Sequence, residues 1–272
     1  MAAVERQIAG AVCRVRLNRP EKLNALDDDV RIGLVRAFEE MAELPDVKVV
    51  VLEGAGRAFS AGADLNAAET SHDRPDWATR RHRFGAWNRL LDLMEAVPQV
   101  TVAKLHGHVV GGGSLLAVTC DLRIAADDLK LRIPEVAIGV PLTWGGVPRL
   151  VREIGLPLAR DLVLTGRTMD AEEANSCGFV QRVVPRQVLD AATDDLVETL
   201  VAMPGGPLAI SRAMFAALGR QQAGPAGWAD ADLLMWSALE PQGQAADLGY
   251  VTSRLNGNGH RRDEPADVQP ER

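Results

Sequence analysis

Cysteine is scarce in this sequence: Cys13, Cys120 and Cys177 are odd in number and far apart. They form neither a disulfide framework nor the paired spacing of a metal site, and no metal is expected. Lysine is nearly absent beside arginine, with Lys22, Lys48, Lys104 and Lys130 the only lysines among 30 basic residues. That skew reads as compositional bias rather than as a special arginine-rich site. The 37 acidic residues outnumber the basic ones, for a net charge of −7. An acidic chain lacks the basic face that phosphate neutralisation requires, so nucleic acid is not an expected partner. No apolar run approaches the roughly eighteen residues of a membrane-spanning helix. The first residues alternate charged and apolar types without the apolar centre of a secretory signal, so the expected location is cytoplasmic, with no membrane partner. What is present is ordinary: 272 residues, 47% hydrophobic and 25% charged, enough for one large domain or two small ones.

Residues 12–17 alternate as a strand with one wet face, and Asn18-Arg19-Pro20 breaks it. Asp27 suits a helix cap, with Asp28 and Asp29 in the first turn and Val30, Leu34, Phe38, Met41 and Leu44 as an apolar stripe. Residues 47–52, 100–105 and 122–126 read as buried strands, with helical patterns near residues 90–94 and 149–154. Such alternation predicts an α/β fold. Beyond about residue 156 strand signals thin. Asp170-Ala171-Glu172-Glu173 resembles a capping box and Gly178 a helix stop. Residues 188–201 form an amphipathic helix, and Pro204-Gly205-Gly206-Pro207 looks like a hinge. The expected organisation is a core over residues 1–203, a helical region over 204–256 and a disordered tail over 257–272.

Several familiar chemistries fail on inspection. Gly54-Ala55-Gly56 begins like a dinucleotide fingerprint, but Phe59 stands where the third glycine belongs. The run after Ser114 lacks the closing glycine of a nucleophile elbow. His106 and His108 share a strand face without a third ligand nearby and read as structural.

Three segments stand out. Residues 59–65 (Phe-Ser-Ala-Gly-Ala-Asp-Leu) follow a buried strand with small residues that expose backbone. Gly111-Gly112-Gly113 precedes an apolar helix, where free N–H groups make a natural oxyanion site. Glu135 follows Ile133-Pro134 in an apolar stretch that would raise its pKa and suit it as a base. Singly, each has a plainer reading: a tight turn, a close-packed helix start, a surface glutamate.

Together, and with residues 18–26 (Asn-Arg-Pro-Glu-Lys-Leu-Asn-Ala-Leu), 106–113, 120–125 and 134–139 in matching order and spacing, they closely resemble the crotonase, or enoyl-CoA hydratase/isomerase, family over about residues 8–255. The resemblance implies a spiral of β-β-α turns with a C-terminal helical region used in trimer assembly, as a homotrimer or dimer of trimers. It implies an acyl-CoA thioester substrate and no cofactor beyond that coenzyme A. Carried over by motif, Ala63 and Gly112 supply the two oxyanion N–H groups. Lys22, Leu23, Ala25, Ala61, Asp64, Leu65 and Asn66 lie along the CoA and acyl path, with Lys22 the cation nearest a CoA phosphate.

One departure bears on the reaction. Hydratases of that family carry two glutamates; here Glu135 is present, but Leu115 occupies the other position, and Thr143 replaces a glycine in a loop (residues 139–146) that also departs from the hydratase pattern. Leucine can neither hold nor deprotonate a water, and losing one acid/base group costs about 10²–10⁴-fold. One glutamate suffices to move a double bond from the 3- to the 2-position of an enoyl-CoA. Isomerisation by Glu135 is therefore the expected reaction. A weak or altered hydratase, a thioesterase, a decarboxylase and a non-catalytic acyl-CoA binder remain alternatives.

Overall fold

A computed structural model describes residues 2–64, 76–223 and 229–237, with 239, 241, 242, 245 and 246. In chain order the elements are β1 (Val4–Ala9), β2 (Val12–Leu17), α1 (Asp28–Glu39), β3 (Val49–Gly54), α2 (Trp77–Ala96), β4 (Val100–Leu105), β5 (His108–Val110) and α3 (Gly112–Thr119). They continue with β6 (Leu122–Ala126), β7 (Lys130–Arg132), α4 (Gly146–Thr165), β8 (Thr168–Asp170), α5 (Ala171–Ser176) and β9 (Arg182–Val184), then α6 (Leu189–Ala202), α7 (Gly205–Ala223) and α8 (Asp230–Ser237).

The strands form two sheets, one in the order β1-β2-β3-β4-β6-β9 and one in the order β5-β7-β8. Only β1 is antiparallel in the larger sheet. Parallel neighbours need crossovers, and here each crossover is one turn of a spiral. After β3 the chain bridges the small sheet at Ser60, opposite Val109; after β4 it lays down β5, and after β6 it lays down β7. The helices α2, α3 and α4 then return it for the next turn.

Strand β3 is buried throughout, because both its faces are covered. Val50 and Leu52 join Phe38, Leu90 and Leu91 in the main core, while Val49 and Val51 pack with Ile124, Leu189 and Leu196 under α6. Strand β2 alternates instead: Cys13, Val15 and Leu17 are buried, and Arg14 and Arg16 turn outward to pair with the buried Glu53.

Local signals mostly place the helices. Asp27 caps α1 by accepting from Val30 N at 3.0 Å. The helix ends at Glu39, however, and Met41 continues the stripe from a 3-10 turn. Asp170 caps α5 through Glu173 N at 2.9 Å, but the Glu173 carboxylate pairs with Arg167 instead of closing a capping box. Strands β8 and β9 interrupt the region read as helical. The segment read as a hinge is a sharp corner: α6 and α7 bend by 107°, and Gly205, Gly206 and Pro207 already lie in the first turn of α7. Proline is at home there, since its missing N–H would have had no acceptor. The expected tail, residues 257–272, lies outside the described residues.

Helix α7 is tied to the core by one ionic knot. The buried Arg212 donates Nε to Asp121 Oδ2 at 2.9 Å and Nη1 to the Val97 carbonyl. Asp121 also accepts from Thr101 N at 2.7 Å and Thr101 Oγ1 at 2.9 Å. Removing one partner of a buried charge pair leaves the other uncompensated, at about 3–5 kcal/mol. Asp121→Ala should therefore lower unfolding free energy by about 3 kcal/mol in urea titration; a loss within 0.5 kcal/mol, roughly a surface effect, would show that Arg212 does not depend on it.

Candidate active site

Two loops meet here, the first opening on a single 3-10 turn at Pro20–Lys22. In the first, Leu23 and Asn24 adopt left-handed backbone, φ 52° and 54°. Asparagine tolerates this better than most residues, and Asn24 then acts as a brace. Its buried Nδ2 donates to the Ala55 and Ala58 carbonyls, each at 2.8 Å, while Oδ1 accepts from Arg19 N at 2.9 Å. Ser60 Oγ closes the link by donating to the Asn24 carbonyl at 2.9 Å.

The second loop runs beside the first as a short parallel bridge between Leu26 and Ala63. Leu26 donates to the Gly62 carbonyl at 2.8 Å and accepts from Asp64 N at 2.9 Å, which turns the Ala63 N–H away from Leu26. The Gly112 N–H begins α3 and has no acceptor within the helix. Among the described residues neither group donates a hydrogen bond. A methyl built on Gly62 would lie 3.7 Å from Gly112 N, so the second loop is in contact with the start of α3.

Glu135 enters from the turn after β7, where its carbonyl accepts from Ile138 N at 3.1 Å and Val140 N at 3.0 Å. Its carboxylate lies on Gly111: a methyl there would stand 2.5 Å from Oε1. Glu135 Oε2 is buried without a hydrogen-bond partner. Loss of solvation lifts the pKa to about 7, against the weaker opposing pull of its own backbone N–H. A carboxyl poised there can take and return protons at neutral pH. The catalytic candidates Glu135 and Gly112 thus converge, with Ala63 on the adjoining loop.

The other sequence candidates divide. Leu23, Ala25 and Ala61 belong to the paired loops, Ala61 N donating to the Leu23 carbonyl at 2.9 Å. The Asp64 carboxylate pairs with Arg19 at 3.0 Å and Lys22 at 3.5 Å. Burial alone would push its pKa up, but the Arg19 hydrogen bond and the two cations outweigh this and hold it low. Lys22 itself is exposed at the loop edge. Leu65 and Asn66 lie outside the described residues; on α2, Arg81 forks onto Asp232 of α8 at 2.7 and 3.1 Å.

Leu115 is buried on α3, its side chain against Leu142 and Gly146. Thr143 is half-buried and offers its carbonyl to Gly146 N at 3.0 Å. Ser114 Oγ is spent on the Val109 carbonyl at 2.9 Å, and the buried His106 binds the Gly56 carbonyl at 3.0 Å. Among the described residues no group of three or more His, Cys, Asp or Glu is arranged to hold a metal.

Sequence reading missed a set of residues around Trp144. This tryptophan has φ 60° and stacks on Trp87 of α2, ring centroids 4.5 Å apart and 8° from parallel. The buried Arg149 donates to the Trp144 carbonyl at 3.0 Å and is itself held by Asp92 at 2.7 Å and Glu95 at 2.9 Å. Asp230 of α8 accepts from Gly145 N at 2.6 Å. Only the positive φ, invisible in sequence, would have marked the position.

A carboxyl with raised native pKa favours the protonated folded state, so stability falls as pH rises from 4.5 to about 7. The full loss is on the order of 3 kcal/mol. In calorimetry, Glu135→Gln should match wild type near pH 4 and exceed it in stability near pH 8; a pH-independent difference would mean Glu135 ionises as in water.

A sequence model described as enoyl-CoA hydratase/isomerase matches residues 7–231. A probable enoyl-CoA hydratase of Mycobacterium bovis is 43% identical over 173 residues, 63% of this chain and 64% of that protein, so the match spans just under two thirds of the relative. A solved structure of a probable enoyl-CoA hydratase from Mycobacterium smegmatis aligns with a TM-score of 0.78 at 31% identity, covering 89% of this chain and 98% of the other. A putative enoyl-CoA hydratase from Thermobifida fusca, solved in complex with CoA, gives 0.75 at 29% identity over 93% and 95%. This chain belongs to the enoyl-CoA hydratase/isomerase, or crotonase, family.

Proposed function

We propose that the protein is an acyl-CoA enzyme that converts a 3-enoyl-CoA to the 2-enoyl-CoA, with Glu135 as its one proton carrier. The observation that carries this reading is the lone buried carboxylate at Gly111, with Leu115 where a second acid would stand. The thioester oxygen accepts from Ala63 N–H and Gly112 N–H. Glu135 Oε2, free of other partners, removes a proton from the α-carbon. The C–H electron pair moves into a dienolate whose negative charge rests on the oxygen between the two N–H groups. Each such donor is worth about 2.7–4 kcal/mol to a developing oxyanion. Glu135 then returns the proton to the γ-carbon, and the double bond lies between the α- and β-carbons. No water is consumed, and the apolar wall of Leu115 and Leu142 disfavours its entry.

The relatives' names favour a second reading, hydration of a 2-enoyl-CoA. Hydration needs a water held and activated between two groups, and Leu115 can do neither. An assay of conjugated thioester absorbance separates the two. Absorbance should grow from a 3-enoyl-CoA and change little with a 2-enoyl-CoA. Glu135→Gln should lose about 10²–10⁴-fold, and wild-type rate should rise with pH through about 7 as the carboxyl ionises. Leu115→Glu should raise hydration. Rapid loss of absorbance from the 2-enoyl-CoA with wild type would overturn isomerisation.

The same proposal includes self-association as a homotrimer or dimer of trimers. It is supported by the apolar face of α7, where Ile210, Met214, Phe215 and Leu218 are exposed, Phe215 to 75%. A monomeric mass by light scattering at micromolar concentration would refute it.

A further inference from the structure

We propose that Trp144 is the specificity-determining residue of this site, closing the acyl pocket so that it takes short acyl groups and rejects long ones; this rests on the acyl-CoA reading above. The ring lies on Gly112, the residue whose N–H faces the thioester oxygen. A methyl built on Gly112 would stand 2.8 Å from Trp144 Cη2, closer still to Cζ3, and 3.1 Å from Leu26 Cδ1. Glu135 covers the preceding glycine. An acyl group with its oxygen on Gly112 and its α-carbon at Glu135 therefore meets the indole within its first few carbons.

The indole cannot readily swing aside. It is stacked on Trp87, whose helix α2 also carries Asp92 and Glu95, the acids that hold Arg149. Arg149 grips the Trp144 and Gly145 carbonyls, and Asp230 grips Gly145 N. Left-handed backbone at a tryptophan is strained and persists only where the surroundings over-determine it. Both indoles are only half-buried although they pack on the main core. An aromatic pair placed for core packing alone has no need of that backbone or that exposure. The wall is thus built from three segments far apart in sequence, residues 87–95, 144–149 and 230.

Titration calorimetry with butanoyl-CoA and dodecanoyl-CoA tests the proposal without relying on turnover. Trp144→Gly removes the ring and suits the positive φ, so the fold is expected to survive; Trp144→Phe keeps a flat wall. Wild type should bind the short ester about tenfold or more tightly than the long one, the scale of hydrophobic-pocket discrimination. Trp144→Gly should abolish or reverse that preference, and Trp144→Phe should retain it. Equal or tighter binding of dodecanoyl-CoA by wild type overturns the proposal, as does an unchanged ratio in Trp144→Gly. A shifted ratio in a protein that turns over neither enoyl-CoA upholds it while isomerisation fails. Binding of neither ester to wild type overturns both.

Discussion

Only the small Ser60 side chain stands between the loop that carries Ala63 and the glycine run that opens α3. A methyl on Gly113 would lie 2.8 Å from Ser60 Cβ, and one on Gly62 would lie 2.7 Å from the Val110 carbonyl. Backbone must therefore touch backbone, and that closeness brings the Ala63 and Gly112 N–H groups to neighbouring positions. The approach is held by Asn24, which reaches both the chain after β3 and the first loop, and by Arg19, which clamps Asp27 and Asp64. Two free donors facing a common space would be a defect in an ordinary turn, since unpaired N–H groups are costly when buried. Among the described residues Ala63 N and Gly112 N donate no hydrogen bond, which is what the proposed oxyanion role requires of them.

Charge is used sparingly but at depth. Arg123, Arg149 and Arg212 are buried, and each joins elements distant in sequence. Arg123 donates to the Cys120 carbonyl and Glu153, both at 2.6 Å, and stacks over Phe179. Arginine suits this role because its planar fork serves several acceptors at once and stays charged. The arginine excess read as compositional bias thus includes three side chains that hold the helices to the sheet. Buried pairs of this kind add modestly to stability and are more telling as constraints on which helix sits where.

The chemistry of the site follows from what is missing around Glu135 as much as from what is there. A second carboxylate nearby would raise the cost of ionising both and hold a water between them. Leucine at position 115 leaves one acid in an apolar setting, with its pKa raised chiefly by desolvation. The same setting makes the carboxyl a burden on the fold at neutral pH, a trade that functional residues commonly impose.

Much of this was legible in the sequence. The capping aspartates, the buried strands, the glycine run before α3 and the placement of Glu135 all depend on neighbours within a few residues, and local pattern records such dependence. Strands β8 and β9 escaped because three residues carry no periodicity and their pairing is set by distant partners. Asp64 pairs with Arg19 and Lys22, which lie more than forty positions away, beyond any local signal. Trp144 went unnoticed for the same reason. Its residue type was plain, but its left-handed backbone, its stack on Trp87 and its grip by Arg149 and Asp230 exist only once the spiral closes. The sequence by itself determined the family and singled out Glu135, Ala63 and Gly112 as candidate base and donors, because these sit in contiguous motifs. Tertiary structure alone decided what surrounds them, because packing unites residues that the chain keeps apart.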